Sequence, residues 1–289
     1  IALVRAVSDR RGLLGLVVEG REGDLLDARA VERAVAGAEA VLHVGAVHRN
    51  FAAEEKTILG PAVEGTANVL AAARAAGVRR VVLTSSGATI GFATDPALPI
   101  DERAKIESPR SAYIRAKVAS EKLALAAAAE GQEVVVLNPS GVFGPRDYRL
   151  TPATRGIIGM LTGDPAFLGV CFTDVRDVAA AHVRAVEHGR RGERYLVSGQ
   201  GLAPPAIAAL FAEVTGIRPM TFRPPGFLLR FLAGRMEKAA LRSGTDAPIT
   251  RDLLADVGSG HLLYDSKKSV EVLGMTYRPA RAVLEDAVR

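Results

Sequence analysis

Cysteine is nearly absent: the 289-residue chain holds one, Cys171, which excludes an intramolecular disulfide and any cysteine-based zinc cage. A reducing compartment is the expectation, and Cys171 reads as a core filler, without a partner that would make it a nucleophile. Long apolar runs are missing too. Stretches such as 13–18 and 134–137 fall far short of the roughly 20 residues a membrane helix needs, and no signal peptide is expected. A soluble, cytoplasmic protein without a membrane partner is therefore expected. His43, His48, His182, His188 and His261 lack the i, i+4 spacing and carboxylate neighbours of a metal site, so no metal is expected. There is no GxSxG elbow, no internal repeat and no low-complexity tract. The 37 Lys and Arg are scattered among 32 Asp and Glu, with no basic run interleaved with aromatics, and nucleic acid is not an expected partner despite the net charge of +5.

What is present is enough apolar material for a core, 48% of residues with a mean hydropathy of +0.17. Short apolar runs at 1–4, 16–19, 40–44, 80–83, 134–137 and 195–197 read as strands. Between and after them, segments 28–38, 63–76, 112–129, 175–188, 205–215, 227–241, 266–273 and 280–288 have helical character. Strand alternating with helix is the pattern of parallel crossover units, giving an α/β fold with a doubly wound parallel sheet. Asp27 and Asp174 fit helix N-caps, and Gly77, Gly131, Gly216 and Gly274 fit positions just past helix ends. Beyond residue 199 no strong strand pattern remains, and a smaller, mostly helical C-terminal substrate lobe is expected to close over the carboxyl ends of the strands. Residues 1–147 and 171–199 are assigned to a dinucleotide-binding domain, 148–170 and 200–289 to the lobe. The stripe Phe227, Leu228, Phe231, Leu232 and Met236 has helical spacing and reads first as core, with a pocket wall or dimer face as alternatives.

A dinucleotide-binding sheet should open with a strand, a glycine-rich turn and a helix whose N-terminus faces the pyrophosphate. Gly12, Gly15 and Gly20 do not sit in that context and read as loop glycines; the first strand and phosphate loop are expected to be missing from this sequence.

The strongest constellation is Tyr113 and Lys117, four apart in a helical segment, with Thr84, Ser85 and Ser86 at the end of a strand. Residues i and i+4 share a helix face. An ammonium beside a phenol favours the phenolate and should lower its pKa from about 10. Tyr113 could then exchange a proton with a substrate oxygen while Ser86 orients that oxygen. The alternative is an ordinary surface helix.

Residues 84–89 (TSSGAT), 113–117 (YIRAK), 23–27 (GDLLD), 61–70 (PAVEGTANVL), 138–145 (NPSGVFGP) and 173–179 (TDVRDVA) together resemble the extended short-chain dehydrogenase/reductases, in the family's order and over nearly the whole chain. Within that superfamily the resemblance is to the branch holding dihydroflavonol 4-reductase and cinnamoyl-CoA reductase, in the NAD-dependent epimerase/dehydratase family. It implies a Rossmann-like fold and a catalytic triad of Ser86, Tyr113 and Lys117, with Tyr113 the proton donor and Lys117 also holding the nicotinamide ribose.

The resemblance further implies that Asp24 accepts from the adenine amino group and Leu25 contacts the ring, the alternative for Asp24 being a turn aspartate. Val44, Gly45 and Ala46 would run beneath the cofactor, with His43 packed and not catalytic. Thr84, Asn138, Pro139 and Ser140 would complete the cofactor contacts. Arg5 lies where this branch often carries an arginine for the 2′-phosphate of NADP, with Arg10 and Arg11 nearby; a guanidinium matches phosphate in bidentate fashion, so NADP is favoured and NAD kept open. Asp174 and Asp177 read as helix-capping residues.

Three functions are weighed. The first is an NADP-dependent reductase of a small apolar or aryl ketone or aldehyde, acting as a monomer or homodimer. The second is an NAD-dependent nucleotide-sugar epimerase or dehydratase, and the third a non-catalytic dinucleotide sensor. Specificity is expected to lie in 140–170 and in the tail after Gly199.

Overall fold

A computed structural model describes residues 1–47, 54–247 and 249–289; His48 lies outside the described residues. The chain is α/β, with strand and helix alternating as the sequence pattern implies. Strands β1 (Ala2–Val4) and β2 (Gly20–Glu22) form a parallel pair. A four-stranded parallel sheet takes β3 (Ala40–His43), β4 (Arg80–Thr84), β5 (Val134–Pro139) and β8 (Arg194–Val197), in the order β3-β4-β5-β8. A three-stranded sheet joins β6 (Val142–Phe143), β7 (Val170–Asp174) and β9 (Gln200–Leu202).

Helices cover both faces of the central sheet. On one side α1 (Ala28–Val35), α2 (Lys56–Ala75) and α3 (Ala112–Ala129) contribute Val31, Val69, Ala73 and Ala124 to a core shared with Val81, Leu83, Val134 and Val136. On the other, α5 (Val175–His188) sets Ala181 and Ala185 against Val82, Val135, Leu137 and Tyr195. Alternate residues of β4 and β5 thus feed opposite cores, which is why these strands are apolar throughout. Removal of so much apolar surface from water is the main force holding the sheet and helices together.

Several sequence expectations shift. The strand expected at 16–19 falls at β2 instead, and Leu14, Leu16 and Val17 are exposed. Gly23, which follows β2, explains the register: a Cβ there would lie 2.6 Å from that of Ala30, so β2 and α1 are fixed where only glycine lets them meet. Helix α2 starts seven residues before the expected 63 and runs through Pro61, at the cost of one backbone hydrogen bond near its start. Helices α4 (Pro152–Thr162) and α8 (Arg251–Val257) and strands β6, β7 and β9 were not expected from the pattern. Segment 171–199 divides: β7 pairs with β6 and β9, whereas α5 and β8 belong with the central sheet. Asp27 and Asp174 do cap α1 and α5. Asp177 does not act as a cap; it holds the backbone N–H of Arg278 at 2.8 Å and pairs with that residue's guanidinium.

The C-terminal residues form α6 (Pro204–Thr215), α7 (Gly226–Ser243), α8, α9 (Lys267–Leu273) and α10 (Ala280–Val288). Residues 261–264 stitch this part to the rest through bridges Ala93–His261, Ile100–Tyr264 and Val170–Leu262. The aromatic stripe on α7 is not core: Phe227 is 78% and Phe231 61% exposed. The helix buries its small residues, Ala233 and Ala240, instead.

Candidate active site

The site forms where β4 ends. Ser86 follows the strand in an extended conformation, and its Oγ accepts the backbone N–H of Ala88 at 3.2 Å, capping a 3₁₀ turn at Gly87–Thr89. Gly87 leaves room for Tyr264, since a Cβ there would sit 3.0 Å from the Tyr264 ring; the Tyr264 hydroxyl donates to the Gly91 carbonyl at 3.0 Å. Tyr113 stands in the first turn of α3, and its hydroxyl is hydrogen-bonded to Ser86. One turn on, Lys117 is 8% exposed and its Nζ donates to the Thr84 carbonyl at 2.9 Å. The three side chains expected to act together therefore share one strand end.

Their electrostatics differ from the sequence expectation. Burial pushes the Tyr113 phenol up from its ordinary value, opposed by the hydrogen bond to Ser86. The Lys117 ammonium, one turn from the phenol, donates to the Thr84 carbonyl. Burial brings Lys117 down to about 8, with the Glu121 carboxylate acting in the opposite direction. His43 is buried with Nε2 3.0 Å from Thr66 Oγ1, and burial together with the Lys117 charge holds it near 4, so it is neutral at pH 7. Thr84 is fixed from behind by His182, whose Nε2 lies 2.7 Å from Thr84 Oγ1 and whose Nδ1 lies 2.7 Å from the Val178 carbonyl. Donation by Nδ1 to that carbonyl leaves Nε2 to accept the threonine hydroxyl.

Glu121 was not singled out by the sequence. Its buried carboxylate accepts from Ser85 Oγ at 2.5 Å, Thr89 Oγ1 at 2.9 Å, Asn138 Nδ2 at 2.8 Å and Arg194 Nη1 at 3.1 Å. It thereby ties the Ser86 loop, α3, β5 and β8 together, one helical turn after Lys117. Its only sequence signal is a glutamate on the Tyr113 and Lys117 face of the helix. Asn138, expected against the cofactor, is fully buried and spends its amide on this cluster, including the Ser86 carbonyl at 3.2 Å. Pro139 is buried beside it, and the Ser140 hydroxyl is tied to Thr173 Oγ1 at 2.6 Å and Ser198 Oγ at 3.0 Å. The sidedness of these residues was invisible to a motif reading.

At the ends of β1 and β2, Arg5 and Asp24 face each other with Nη1 to Oδ2 at 3.9 Å, both well exposed. The other Asp24 oxygen accepts the Leu26 N–H at 3.0 Å, so the turn role is real. Leu25 lies over Gly45 and Gly65: a Cβ would come within 2.9 Å and 3.0 Å of it, respectively. Val44, Gly45 and Ala46 are exposed at the end of β3. Between this loop and α3 lies a small, partly open cleft of about 10 Å³, lined by Gly45, Ala46, Thr84, Tyr113 and Lys117 among others.

These groups suit a dinucleotide at both of its ends. Two hydroxyls and an ammonium match ribose hydroxyls and a substrate carbonyl, while an exposed guanidinium and carboxylate match a phosphate and an adenine amino group. Among the described residues no strand leads through a three-glycine turn into a helix, so the fit does not extend to a backbone cradle for the diphosphate. The described residues also hold no cluster of three metal-ligating side chains.

Comparison with known proteins shows the family of the chain. The family described as "NAD dependent epimerase/dehydratase family" matches residues 2–198. A Synechocystis protein named "Putative dihydroflavonol 4-reductase" is 32% identical, covering 99% of this chain and 85% of the relative. The "Sterol demethylase protein B" of Methylococcus capsulatus is also 32% identical, covering 99% and 89%. The crystal structure of gox2253 superposes with a TM-score of 0.83 at 30% identity, covering 99% of this chain and 88% of the other.

Proposed function

The chain belongs to the NAD dependent epimerase/dehydratase family and is an NAD(P)-dependent oxidoreductase of the extended short-chain type, and we propose that it reduces a small apolar or aryl ketone or aldehyde with NADP(H). The observation that carries the reading is the convergence of Ser86, Tyr113 and Lys117 on the end of β4. The reductase reading is supported by the relative named for a dihydroflavonol, whose reducible group is an aryl ketone. Arg5, exposed at the end of β1, supports NADP over NAD.

When bound, the nicotinamide supplies a hydride to the carbonyl carbon. Tyr113 gives its phenolic proton to the carbonyl oxygen as that oxygen gains negative charge. Its raised pKa keeps it protonated until then. The Ser86 hydroxyl, already bonded to the phenol, donates to the same oxygen and fixes its position. The phenolate left on Tyr113 is stabilised by the Lys117 ammonium one turn away, while the Thr84 carbonyl and the Glu121 carboxylate keep that ammonium charged and in place. Lys117, Asp24, Leu25, Gly45, Ala46 and Arg5 are the residues that would hold the dinucleotide.

The test is oxidation of NADPH by the purified protein across a panel of aryl and alkyl ketones and aldehydes. Turnover with at least one carbonyl, faster with NADPH than with NADH, is expected; no oxidation with any would overturn the reading. The family description also covers epimerases and dehydratases. NAD that survives dialysis, with turnover of a nucleotide sugar and no net oxidation, would identify that chemistry instead.

A further inference from the structure

Charge and exposed apolar surface coincide in one place. The chain carries 37 basic and 32 acidic residues, an excess of five. Residues 216–245 alone hold six cations, Arg218, Arg223, Arg230, Arg235, Lys238 and Arg242, against a single acid, Glu237. The whole net charge of the protein thus lies in these thirty residues, and the remainder is balanced. Glu237 does not offset it at the surface: it is buried, and its carboxylate accepts from Arg251 N at 2.7 Å and Arg251 Nε at 2.8 Å.

The same segment exposes Ile217, Met220, Phe222, Phe227, Phe231 and Leu241. Phe227 and Phe231 lie one turn apart on α7, as do Leu228 and Leu232, so they form a continuous face along its first turns. The cations Arg235, Lys238 and Arg242 follow on the last turns. Since α7 turns alanines inward and phenylalanines outward, the exposed face contributes nothing to the core it could have joined. An apolar patch of this kind marks a contact surface.

We propose that α7 and the loop before it dock this protein on the surface of an anionic lipid bilayer, with Phe227 and Phe231 entering the acyl boundary and the basic side chains meeting the headgroups. The charge favours this occupant over the others. Two copies of the chain meeting on this face would bring like charges together. A nucleic acid would satisfy the cations and leave the phenylalanine and leucine side chains in water. A bilayer of acidic lipids satisfies both sets, and a helix with aromatic residues and Lys and Arg on its open faces is of the type that lies in the interface plane. No helix among the described residues is long and apolar enough to cross a membrane, so the contact is peripheral.

Flotation of the whole protein with vesicles tests it, using phosphatidylcholine alone and phosphatidylcholine mixed with phosphatidylglycerol. The expected result is partition onto the mixed vesicles only, reversed by salt. Neutralising Arg235 or Lys238 to Gln should weaken partition about fivefold for each cation removed. Phe227→Ser with Phe231→Ser should weaken it roughly tenfold or more; both sites are exposed, and an unchanged circular dichroism spectrum verifies the fold. No partition, or equal partition onto neutral vesicles, would overturn the proposal. So would a dimer that dissociates in the Phe227→Ser, Phe231→Ser variant without vesicle binding in the parent, or binding to duplex DNA in place of vesicles. None of these readouts depends on carbonyl reduction.

Discussion

Replacement of Glu121 by glutamine removes one charge and almost no volume, which isolates what the buried carboxylate does. In the parent it accepts four hydrogen bonds, one from a guanidinium that is itself largely buried. Breaking such a pair by neutralising one partner costs about 3 kcal/mol. In a chain of this length that corresponds to a fall in Tm of about 6 °C. The second effect is electrostatic. Lys117 and Glu121 are helix neighbours ~6 Å apart and both buried, so at an effective dielectric of ~20 their attraction is about 3 kcal/mol. Lys117 stands near 8 with the carboxylate raising it, so its removal should lower that value by about two units. The sign follows: an ammonium that loses its proton at lower pH brings the falling limb of the kcat profile down from about pH 8 to about pH 6. Thermal unfolding and the pH dependence of kcat for Glu121→Gln measure the two effects separately. A Tm within 1 °C of the parent together with an unmoved limb would refute the reasoning.

Gly87→Ala should cost about 1 to 3 kcal/mol, because the added methyl meets the Tyr264 ring at 3.0 Å, and should also lower kcat by displacing Ser86; thermal unfolding and initial rates check both. Arg5→Ala should reduce the preference for NADPH over NADH by roughly tenfold, a modest figure because the guanidinium is mostly in water; the ratio of kcat/KM values for the two cofactors is the measurement. His43→Gln should leave the kcat profile between pH 6 and pH 8 unchanged in shape, since burial and Lys117 keep the imidazole neutral throughout that range; a lost acidic limb would show that it titrates.

How much of this was legible in the sequence depended on whether a local rule decided it. The β4 and β5 runs, apolar on both faces, and the caps Asp27 and Asp174 follow from short-range patterning and were read correctly. The pairing of Tyr113 with Lys117 follows from helix geometry, and their meeting with Ser86 from a family likeness. What failed was decided at a distance. The place of β2 is fixed by Gly23 packing on Ala30, and β7 and β9 are strands because they pair with each other. The direction of the Asn138 side chain is set by Glu121, Thr89 and Ser86, none of them close to it in sequence. The phenol's raised pKa reflects burial that the spacing of Tyr113 and Lys117 does not encode. The α7 stripe misled in the opposite direction, for helical periodicity records one apolar face without saying whether protein or something else covers it.

The central claim is that the Tyr113 hydroxyl, held by Ser86 and backed by Lys117, delivers the proton in carbonyl reduction. Its most direct test is kcat for NADPH-dependent reduction by Tyr113→Phe, a change that deletes one oxygen from the side chain. The account predicts a fall of about 10² to 10⁴-fold with Tm retained; turnover within a few-fold of the parent would contradict it.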